Sequence, residues 1–240
     1  MKKKVLPRFP NLDHENELES QGYDLIAGID EVGRGALAGP VVAGAVILPH
    51  RANLPWLELV RDSKELNSRK RESLFDLINE GAVAVGIGIV PSQVIDSINI
   101  LKATKLAMVQ AVEELSKQPH FLIIDRVTLS QCPIPQRGIT RGDKLCLSIA
   151  CASIIAKVTR DRMMEEFDRI YPGYGFAQHK GYGTGDHMSS LQKLGPSPIH
   201  RFYFAPVRAI IASQSSSHSA SGHSEPFASF DLQPPRSSPI

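Results

Sequence analysis

Apolar residues occur in short uninterrupted runs along the chain, and polar residues or prolines end each run. The run from Val41 to Leu48, closed by Pro49, is a clear example. Runs of this kind, bounded by such breaks, are typical of buried strands. They predict strands at about 24–30, 41–48, 82–90 and 121–124, the last of which ends on Asp125.

Helical periodicity separates these strands. Apolar residues that recur on one helical face predict helices at about 68–81, 92–117 and 145–170. The last of these helices has a face of small side chains around Ala152, which would allow close packing on a sheet. Strands and helices that alternate in this order predict an α/β domain, with a mixed sheet and helices on its faces.

Three segments depart from this pattern. Residues 1–22 are polar and charged and predict an irregular N-terminal arm. Ser, Pro and His dominate 212–240, which we expect to be a disordered tail because few bulky apolar side chains offset its ordering entropy. One folded domain over about 23–211 remains. Within it, the Tyr-, Gly-, His- and Lys-rich stretch 171–182 predicts a loop that faces a ligand.

Composition narrows the class of protein. With 240 residues, 42% of them hydrophobic, the chain can bury one good core. The formal net charge is only +2, so any basic surface for nucleic acid must be local. The 3 cysteines lack metal-site spacing and indicate reduced thiols. Neither a signal-peptide pattern nor a run of transmembrane length appears, so we expect a cytoplasmic protein.

Candidate chemistry begins where the first predicted strand ends. Asp30 and Glu31 are adjacent carboxylates, and the segment Gly33-Arg34-Gly35 follows them. Because side chains alternate faces along a strand, both acids can serve one site only if the strand ends or bends there. The glycines would let a ligand approach the main chain, and the whole set suits a hard metal ion and a phosphate. An ordinary hairpin turn is an equal alternative.

Two further acids stand at the ends of predicted elements. Asp125 follows a strand, where α/β folds place ligands, and a simple turn residue is its alternative. Asp143 precedes a long helix, and taken alone it is best explained as a helix N-cap. If these acids converged with the first pair, their repulsion would require cations, and two divalent ions would stabilise phosphodiester cleavage. An all-carboxylate site suits Mg²⁺ or Mn²⁺ and not zinc.

Several long motifs of this chain resemble those of bacterial ribonuclease HII, a type 2 ribonuclease H. They are GIDEVGRGALAGPVV at 28–42, DSKEL at 62–66, GD at 142–143 with SIIAKVTRD at 153–161, and HKGYGT at 179–184. The resemblance implies a ribonuclease H-like fold, a mixed sheet flanked by helices, with a small C-terminal helical extension. It also implies an endonuclease that hydrolyses the RNA strand of RNA–DNA hybrids. Such an enzyme would cut 5′ of single ribonucleotides embedded in duplex DNA, by two-metal-ion catalysis that leaves 3′-hydroxyl and 5′-phosphate ends.

The resemblance also implies roles for particular residues, with Mn²⁺ or Mg²⁺ as cofactor. The acids that it implies as catalytic metal ligands are Asp30, Glu31, Asp125 and Asp143. The residues that it implies as readers of the ribose 2′-hydroxyl are Gly33, Arg34 and Gly35. Tyr182 would stack at the junction sugar, or is a loop tyrosine that packs on the domain; Lys64 would contact a phosphate, or is a solvated turn lysine. The implied partners are RNA–DNA hybrids and ribonucleotide-containing duplex DNA, bound by a monomer without membrane contact.

The chain departs from the family pattern in two places. Arg126 stands where the family usually has glycine after the third acid, which bears on access beside Asp125. Phe202 and Tyr203 stand where the family usually has an arginine and a serine, which puts a basic contact there in doubt. The second departure leaves the four acids untouched.

Some charged and titratable residues have two explanations or a structural one. Lys157 and Arg160 are substrate contacts or, equally well, helix-surface charges that pair with Asp161 and its neighbours. His179 and His187 are expected to be structural or loop residues, because no zinc-type spacing joins them.

Two other functions deserve comparison with the nuclease. A nucleotide-dependent phosphotransferase would need a glycine-rich phosphate cradle, and the sequence contains no Gly-x-x-x-x-Gly-Lys run. A non-catalytic hybrid-binding module would gain affinity for phosphates by losing negative charge, so four intact acids argue against it.

Overall fold

The computed structural model describes residues 9–50 and 54–218. Their strands form one five-stranded sheet of order β3-β2-β1-β4-β5. The strands are β1 (Ile26–Val32), β2 (Val41–Ile47), β3 (Ala84–Val90), β4 (Phe121–Asp125) and β5 (Gln136–Ile139). The pairs β1–β2 and β2–β3 are antiparallel, whereas β1–β4 and β4–β5 are parallel, so the sheet is mixed as predicted.

Helices cover both faces and continue beyond the sheet. Before β4 they are α1 (Asp13–Glu19), α2 (Ser68–Gly81), α3 (Ser92–Ile98) and α4 (Ile100–Glu113), with a short 3₁₀ helix at Pro55–Leu59. After β5 they are α5 (Gly142–Leu145), α6 (Leu147–Ile170), α7 (Phe176–His179), α8 (Gly185–Leu194) and α9 (Ala205–His218). No helix in these described ranges is both long and apolar enough to cross a membrane.

Small residues bring the two principal helices close to the sheet. A Cβ atom at Gly44 on β2 would lie 2.5 Å from the carbonyl oxygen of Ala152, so only glycine lets α6 approach there. On the opposite face, a Cβ at Gly88 on β3 would lie 1.9 Å from the carbonyl oxygen of Ala107 on α4. The predicted small-residue face of α6 and the helix-covered sheet are therefore confirmed.

The N-terminal segment is more ordered than predicted. Part of the supposed irregular arm forms α1, because Leu18 is fully buried in the core and Glu15 binds the first turn of α6. The Glu15 Oε1 atom accepts hydrogen bonds from the main-chain amide and the hydroxyl of Ser148, at 2.9 and 2.7 Å. One buried leucine among polar residues is too weak a pattern to predict this helix from sequence.

Other element boundaries also differ. The helix predicted over 92–117 breaks at Asn99, whose φ is +69° and whose side chain caps α4 at the Lys102 amide. The short, polar edge strand β5 was not predicted. Helix α9 continues past the expected boundary at 212, and the rest of the predicted tail lies outside the described residues.

The C-terminal helices form the predicted extension. Leu191 of α8 and Val207 of α9 are fully buried and pack with Leu37, which follows β1. Phe176 of α7 packs with Met164 of α6. The extension therefore lies beside the segment that connects β1 to β2, and it supplies one wall next to the end of β1.

Candidate active site

The first pair of acids lies near the end of the central strand. Asp30 and Glu31 pair with Gly44 and Ala43 of β2, and β1 ends one residue later at Val32. Asp30 is buried, with 6% of its surface exposed, and its Oδ1 atom accepts a hydrogen bond from the Glu31 amide at 2.8 Å. The strand end that a shared site requires is therefore present.

Asp125 lies at the same edge of the sheet. Strand β4 runs parallel to β1, with Ile29 beside Ile124. The next residue on each strand is an acid, Asp30 on β1 and Asp125 on β4. Adjacent parallel strands thus deliver two carboxylates to one sheet edge, as the sequence predicted from their strand-end positions.

Asp143 reaches this edge through a tether between α5 and β4. The Gly142 amide donates to Oδ1 of Asp125 at 2.8 Å, and Asp143 is the next residue. Asp143 is buried, and its Oδ2 atom lies 3.5 Å from Nζ of Lys64. Its explanation as a helix N-cap is wrong, because Asp143 lies inside α5 and Arg141 holds the cap position.

Burial and like charge both act on these acids. Burial raises the pKa of Asp30 well above its usual range, and the nearby charges of Glu31 and Asp125 raise it further. A hydrogen bond from Ser153 partly opposes that rise. Burial also raises the pKa values of Glu31 and Asp125. The carboxyl groups therefore resist ionising together unless a cation compensates for their charge.

Three of the acids have a basic neighbour at the surface. The N–O distances are 3.1 Å for Arg34–Glu31, 3.5 Å for Lys64–Asp143 and 3.7 Å for Arg126–Asp125. The basic side chains are 40%, 77% and 64% exposed, respectively. Ion pairs this exposed contribute little to stability and exchange readily for other cations.

The donor set fits a hard divalent cation. Its ligand atoms are carboxylate oxygens, which Mg²⁺ and Mn²⁺ prefer, and the buried repulsion around Asp30 would be relieved by positive charge. As the side chains stand in the described ranges, no three acidic, histidine or cysteine side chains form a ready-made ligand group. Replacement of the exposed basic neighbours by a divalent ion would free carboxylate oxygens for coordination.

The two glycines that follow the acids differ in their surroundings. Gly33 has a φ of +92°, and a Cβ there would lie 2.3 Å from Nε of Arg160, so the fold itself requires glycine. At Gly35 a Cβ would meet no atom within 4 Å. Gly35 therefore presents bare main chain to open space, which is the property that a ligand-contacting glycine needs.

Two fully buried arginines brace this turn. Arg201 donates from Nη2 to the carbonyl of Gly33 at 2.7 Å and from Nη1 to that of Arg34 at 2.9 Å. Arg160 donates from Nε to the carbonyl of Pro40 at 2.9 Å. The main chain around the Gly-Arg-Gly segment is thus fixed from beneath by side chains of α6 and of the loop before α9.

These guanidinium groups bind main-chain oxygen atoms. In the described part of the chain, each of their hydrogen bonds ends on a carbonyl. Burial, with the nearby charge of Arg160, lowers the pKa of Arg201 to about 9, which leaves it protonated at neutral pH. For Arg160 the helix-surface explanation is wrong, whereas Lys157 pairs with Asp161 at 2.7 Å as that explanation predicts.

Tyr182 is joined to the same turn. Its ring centroid lies 5.4 Å from Cζ of Arg160, which also donates to the carbonyl of Lys180 at 2.8 Å. The Gly181 carbonyl accepts a hydrogen bond from the Leu37 amide at 2.8 Å. The half-buried Tyr182 ring and the Gly-Arg-Gly turn therefore share one support, although they lie far apart in the sequence.

The departures from the family pattern lie at the rim of this region. Arg126 has a φ of +62°, a conformation that favours glycine, and its side chain extends beside Asp125. Phe202 and Tyr203 are 39% and 71% exposed, and both of their amides donate to the carboxylate of Asp96. The basic residue next to them, Arg201, points inward instead of toward a ligand.

Sequence reasoning missed Arg201 and Ser153. Ser153 Oγ lies 3.0 Å from Oγ of Ser63 and also binds Asp30, so it links α6 and the polar turn before α2 to the acids. Ser153 lies within one of the motifs that carry the family resemblance, and Arg201 directly precedes the departures at Phe202 and Tyr203. Their spacing alone contains no signal for these contacts, because the partners come from distant parts of the chain.

Comparisons with known proteins agree with this geometry. A family model described as Ribonuclease HII matches residues 27–207. A Ribonuclease HII of Dehalococcoides mccartyi is 55% identical over 202 residues, which cover 84% of this chain and 95% of that protein. A Ribonuclease HII of Geobacter sulfurreducens is 54% identical over 196 residues, which cover 82% and 89%.

Solved structures show the same architecture. The crystal structure of the ribonuclease H2 from Pyrococcus horikoshii is similar with a TM-score of 0.65 and 26% sequence identity. The match covers 79% of this chain and 98% of that one. A Bst ribonuclease HIII solved in complex with Mn²⁺ has a TM-score of 0.59 at 20% identity, over 80% of this chain and 70% of that one. The predicted ribonuclease H-like fold is thereby confirmed.

Proposed function

This chain belongs to the ribonuclease HII family and is a metal-dependent endonuclease acting on the RNA of RNA–DNA hybrids, and we propose that it also cuts duplex DNA 5′ of single embedded ribonucleotides. One observation carries the site assignment. Asp30 and Asp125 lie at the same edge of adjacent parallel strands, and Glu31 lies beside them in a partly buried, mutually repelling group. Asp143 completes the set through its tether to Asp125.

These acids would hold Mg²⁺ or Mn²⁺. Bound divalent ions would supply activation of water and stabilisation of negative charge on the attacking and leaving oxygens. The protein's own part is to present acceptor-only carboxylates at fixed positions. The Gly142 amide orients Asp125, and the Glu31 amide orients Asp30. Hydrolysis of the bond between phosphorus and the 3′ oxygen leaves a 3′-hydroxyl and a 5′-phosphate.

Sugar recognition would come from the Gly-Arg-Gly turn. Arg201 already uses the carbonyls of Gly33 and Arg34 as acceptors, which favours the main-chain amides as the groups that meet the ribose 2′-hydroxyl. Gly35 leaves space for the sugar to approach. Because Gly33 is also needed by the fold, we assign its glycine requirement to packing and that of Gly35 to the ligand.

Two side chains complete the proposed substrate contacts. Tyr182 would stack against the junction sugar from the loop that Arg160 ties to the turn. Lys64, 77% exposed beside Asp143, would meet a backbone phosphate once a metal replaces it at the carboxylate. Phosphate contacts supply affinity without sugar information, so discrimination must come from the turn and Tyr182.

Three further proposals concern the oligomeric state, the location and the C-terminal boundary of the protein. We propose that the enzyme acts as a monomer, in the cytoplasm where chromosomal duplex DNA lies. Because α9 reaches His218, the boundary of the dispensable tail moves from 212 to 219. A chain ending at His218 should keep its melting temperature within about 2 °C, a shift that corresponds to no more than about 1 kcal/mol in a domain of this size.

A cleavage assay tests the proposal. A labelled duplex that carries one ribonucleotide is incubated with Mg²⁺, with Mn²⁺ and with EDTA, and the ends are mapped. A cut on the 5′ side of the ribonucleotide, with both metals or either and none in EDTA, is the expected result. Cleavage of continuous hybrids with an intact single-ribonucleotide duplex would reject the junction activity. ATP turnover in the same preparation would favour the phosphotransferase.

A further inference from the structure

Three histidines that the proposed chemistry does not use lie beneath the Tyr182 loop. The rings of His179 and His187 stack with centroids 4.2 Å apart and an interplanar angle of 11°. His187 and His200 are fully buried, and their Nε2 atoms lie 3.0 Å apart. Phe176 meets His187 edge-on at 5.6 Å between centroids. The cluster is therefore packed as tightly as a core, yet it is polar.

A main-chain amide determines where the protons of this cluster lie. The Ser197 N–H donates to Nδ1 of His200 at 2.8 Å, and an amide can only donate, so this nitrogen carries no proton. A neutral His200 then carries its proton on Nε2 and donates it to Nε2 of His187. His187 in turn carries its proton on Nδ1 and donates to the carbonyl of Tyr182 at 3.0 Å.

His179 acts on the other side of the same tyrosine. The Gly181 N–H donates to Nδ1 of His179 at 3.1 Å, so His179 carries its proton on Nε2. That Nε2 donates to the carbonyl of Tyr174 at 2.8 Å. Two stacked rings therefore clamp the main chain immediately before Tyr182 and immediately after it, one as acceptor and one as donor.

The neutral state of the cluster agrees with its surroundings. Burial lowers the pKa of His187 to about 4 and that of His200 to about 3. A second proton on either ring would place two N–H groups face to face, between the rings or against the Ser197 amide. The directions of the hydrogen bonds are thus fixed across the pH range in which the enzyme would work.

We propose that His179 and His187 are positioning residues that orient Tyr182 toward the junction sugar, with His200 fixing the tautomer of His187. The proposal rests on the proposed role of Tyr182. Glycines flank this tyrosine, and Gly181 has a φ of +79°, so the local sequence alone does not restrict the loop. The clamp supplies that restriction, and a small displacement of a group beside the reacting bond is costly to the rate.

Two substitutions of one residue separate positioning from packing. In His187→Asn the amide nitrogen replaces Nδ1 as donor to the Tyr182 carbonyl, while the ring and its contact with Phe176 are lost. In His187→Phe the ring remains and the donor is lost. We expect His187→Phe to lower kcat on a single embedded ribonucleotide by about tenfold or more, with KM within about twofold. His187→Asn should retain more of kcat although it packs less well.

The opposite order would overturn the proposal. If kcat follows the melting temperature across both variants, His187 only packs. If His187→Phe is unfolded at the assay temperature, His179→Phe removes the acceptor for the Gly181 amide and gives the same test. The exposed His120→Phe, which changes the same side chain far from this loop in sequence, is the matched control and should change neither kcat nor KM.

A double-mutant cycle separates this inference from the function it rests on. If Tyr182 has its proposed role, Tyr182→Ala slows cleavage, and adding His187→Phe slows it no further. An unchanged rate in Tyr182→Ala would reject the role of Tyr182 itself. A slow Tyr182→Ala that His187→Phe slows again by its full factor would reject only the clamp.

Discussion

The acidic edge of the sheet and the arginines beneath the adjoining turn use charge in opposite ways. At the edge, buried and half-buried carboxylates lie 3.1–3.7 Å from more exposed basic partners, and the pairs are open to exchange. Beneath the turn, Arg160 and Arg201 are fully buried and donate their hydrogen bonds to main-chain carbonyls. The first region therefore keeps its charge available to a ligand. The charged groups of the second region stabilise the fold.

The largest expected effect comes from the edge. Asp125→Asn removes a charge that the proposed metal ions need, and we expect cleavage to fall by about a thousandfold or more, the scale on which groups that stabilise transition-state charge act. Hybrid binding in EDTA and the melting temperature should stay close to those of the wild type. The exposed Asp76→Asn makes the same chemical change on α2 and is the control. Near-normal turnover of Asp125→Asn with both metals would remove this acid from the site.

Substitution of a buried arginine should lower the free energy of unfolding. Arg201→Met leaves the carbonyls of Gly33, Arg34 and Gly39 without their donor in a buried place, at about 1–3 kcal/mol for each unsatisfied group. We therefore expect the free energy of unfolding to drop by about 3 kcal/mol or more in urea denaturation.

Arg34→Met is the matched partner of that variant. It removes the same charge from a side chain that is 40% exposed and should cost no more than about 1 kcal/mol. Equal losses of unfolding free energy in the two variants would mean that the buried and the exposed guanidinium groups contribute equally to stability, and would reject the difference between the two regions.

Acid should lower the free energy of unfolding through the buried histidines beneath the Tyr182 loop. The pKa values of His187 and His200 are about 4 and 3 in the folded protein, below the usual value near 6.5. Their neutral forms therefore contribute stability that is complete above pH 6.5 and is lost as pH falls toward 4. Each unit of difference corresponds to about 1.4 kcal/mol.

Urea midpoints between pH 7 and pH 4.5 would measure this slope. His187→Asn should have a shallower slope than the wild type, because it removes one of the groups that takes up a proton on unfolding. An unchanged slope in that variant would show that other groups account for the acid sensitivity.

The smallest effect is expected at Arg126. Glycine at this position would relieve the backbone strain that a φ of +62° imposes on Arg126. The substitution also removes the ion pair with Asp125, which is exposed and weak. Arg126→Gly should change the free energy of unfolding by about 1 kcal/mol or less, because the relief is opposed by glycine's extra freedom in the unfolded chain. A loss of several kcal/mol in the free energy of unfolding would show that Arg126 stabilises the fold as the buried Arg160 and Arg201 do. Arg126→Ala, which keeps the strained φ, is its control.

The fold class and the meeting of three acids at one sheet edge could be predicted from the sequence, for identifiable reasons. Apolar runs mark strands, and the acids at 30, 31 and 125 follow such runs directly, so their meeting at one edge is a consequence of the parallel sheet. Arg160 could not be interpreted in this way. On a helix it looks like a solvated charge until the carbonyls of Pro40 and Lys180, which lie 120 and 20 residues away, are known to surround it.

The weaker predictions failed where the pattern itself is weak. Helix α1 has only Leu18 as a fully buried apolar residue, and β5 is short, polar and at a sheet edge. The break at Asn99 depends on one residue with positive φ inside an otherwise helical spacing. Each of these is decided by tertiary contacts or by local backbone conformation, which periodicity does not report.

The parallel pairing of β1 with β4 also has a consequence for how the protein is made. Almost a hundred residues separate the paired strands, and closing so long a loop is slow compared with forming helices or hairpins. During synthesis β1, β2 and β3 can pair as a meander before β4 leaves the ribosome. Until then Asp30 and Glu31 lack their neighbour on β4. Under the proposed site assignment, nuclease activity therefore requires that β4 has joined the sheet, and a truncated translation product that ends before Asp125 would lack one of the proposed metal ligands.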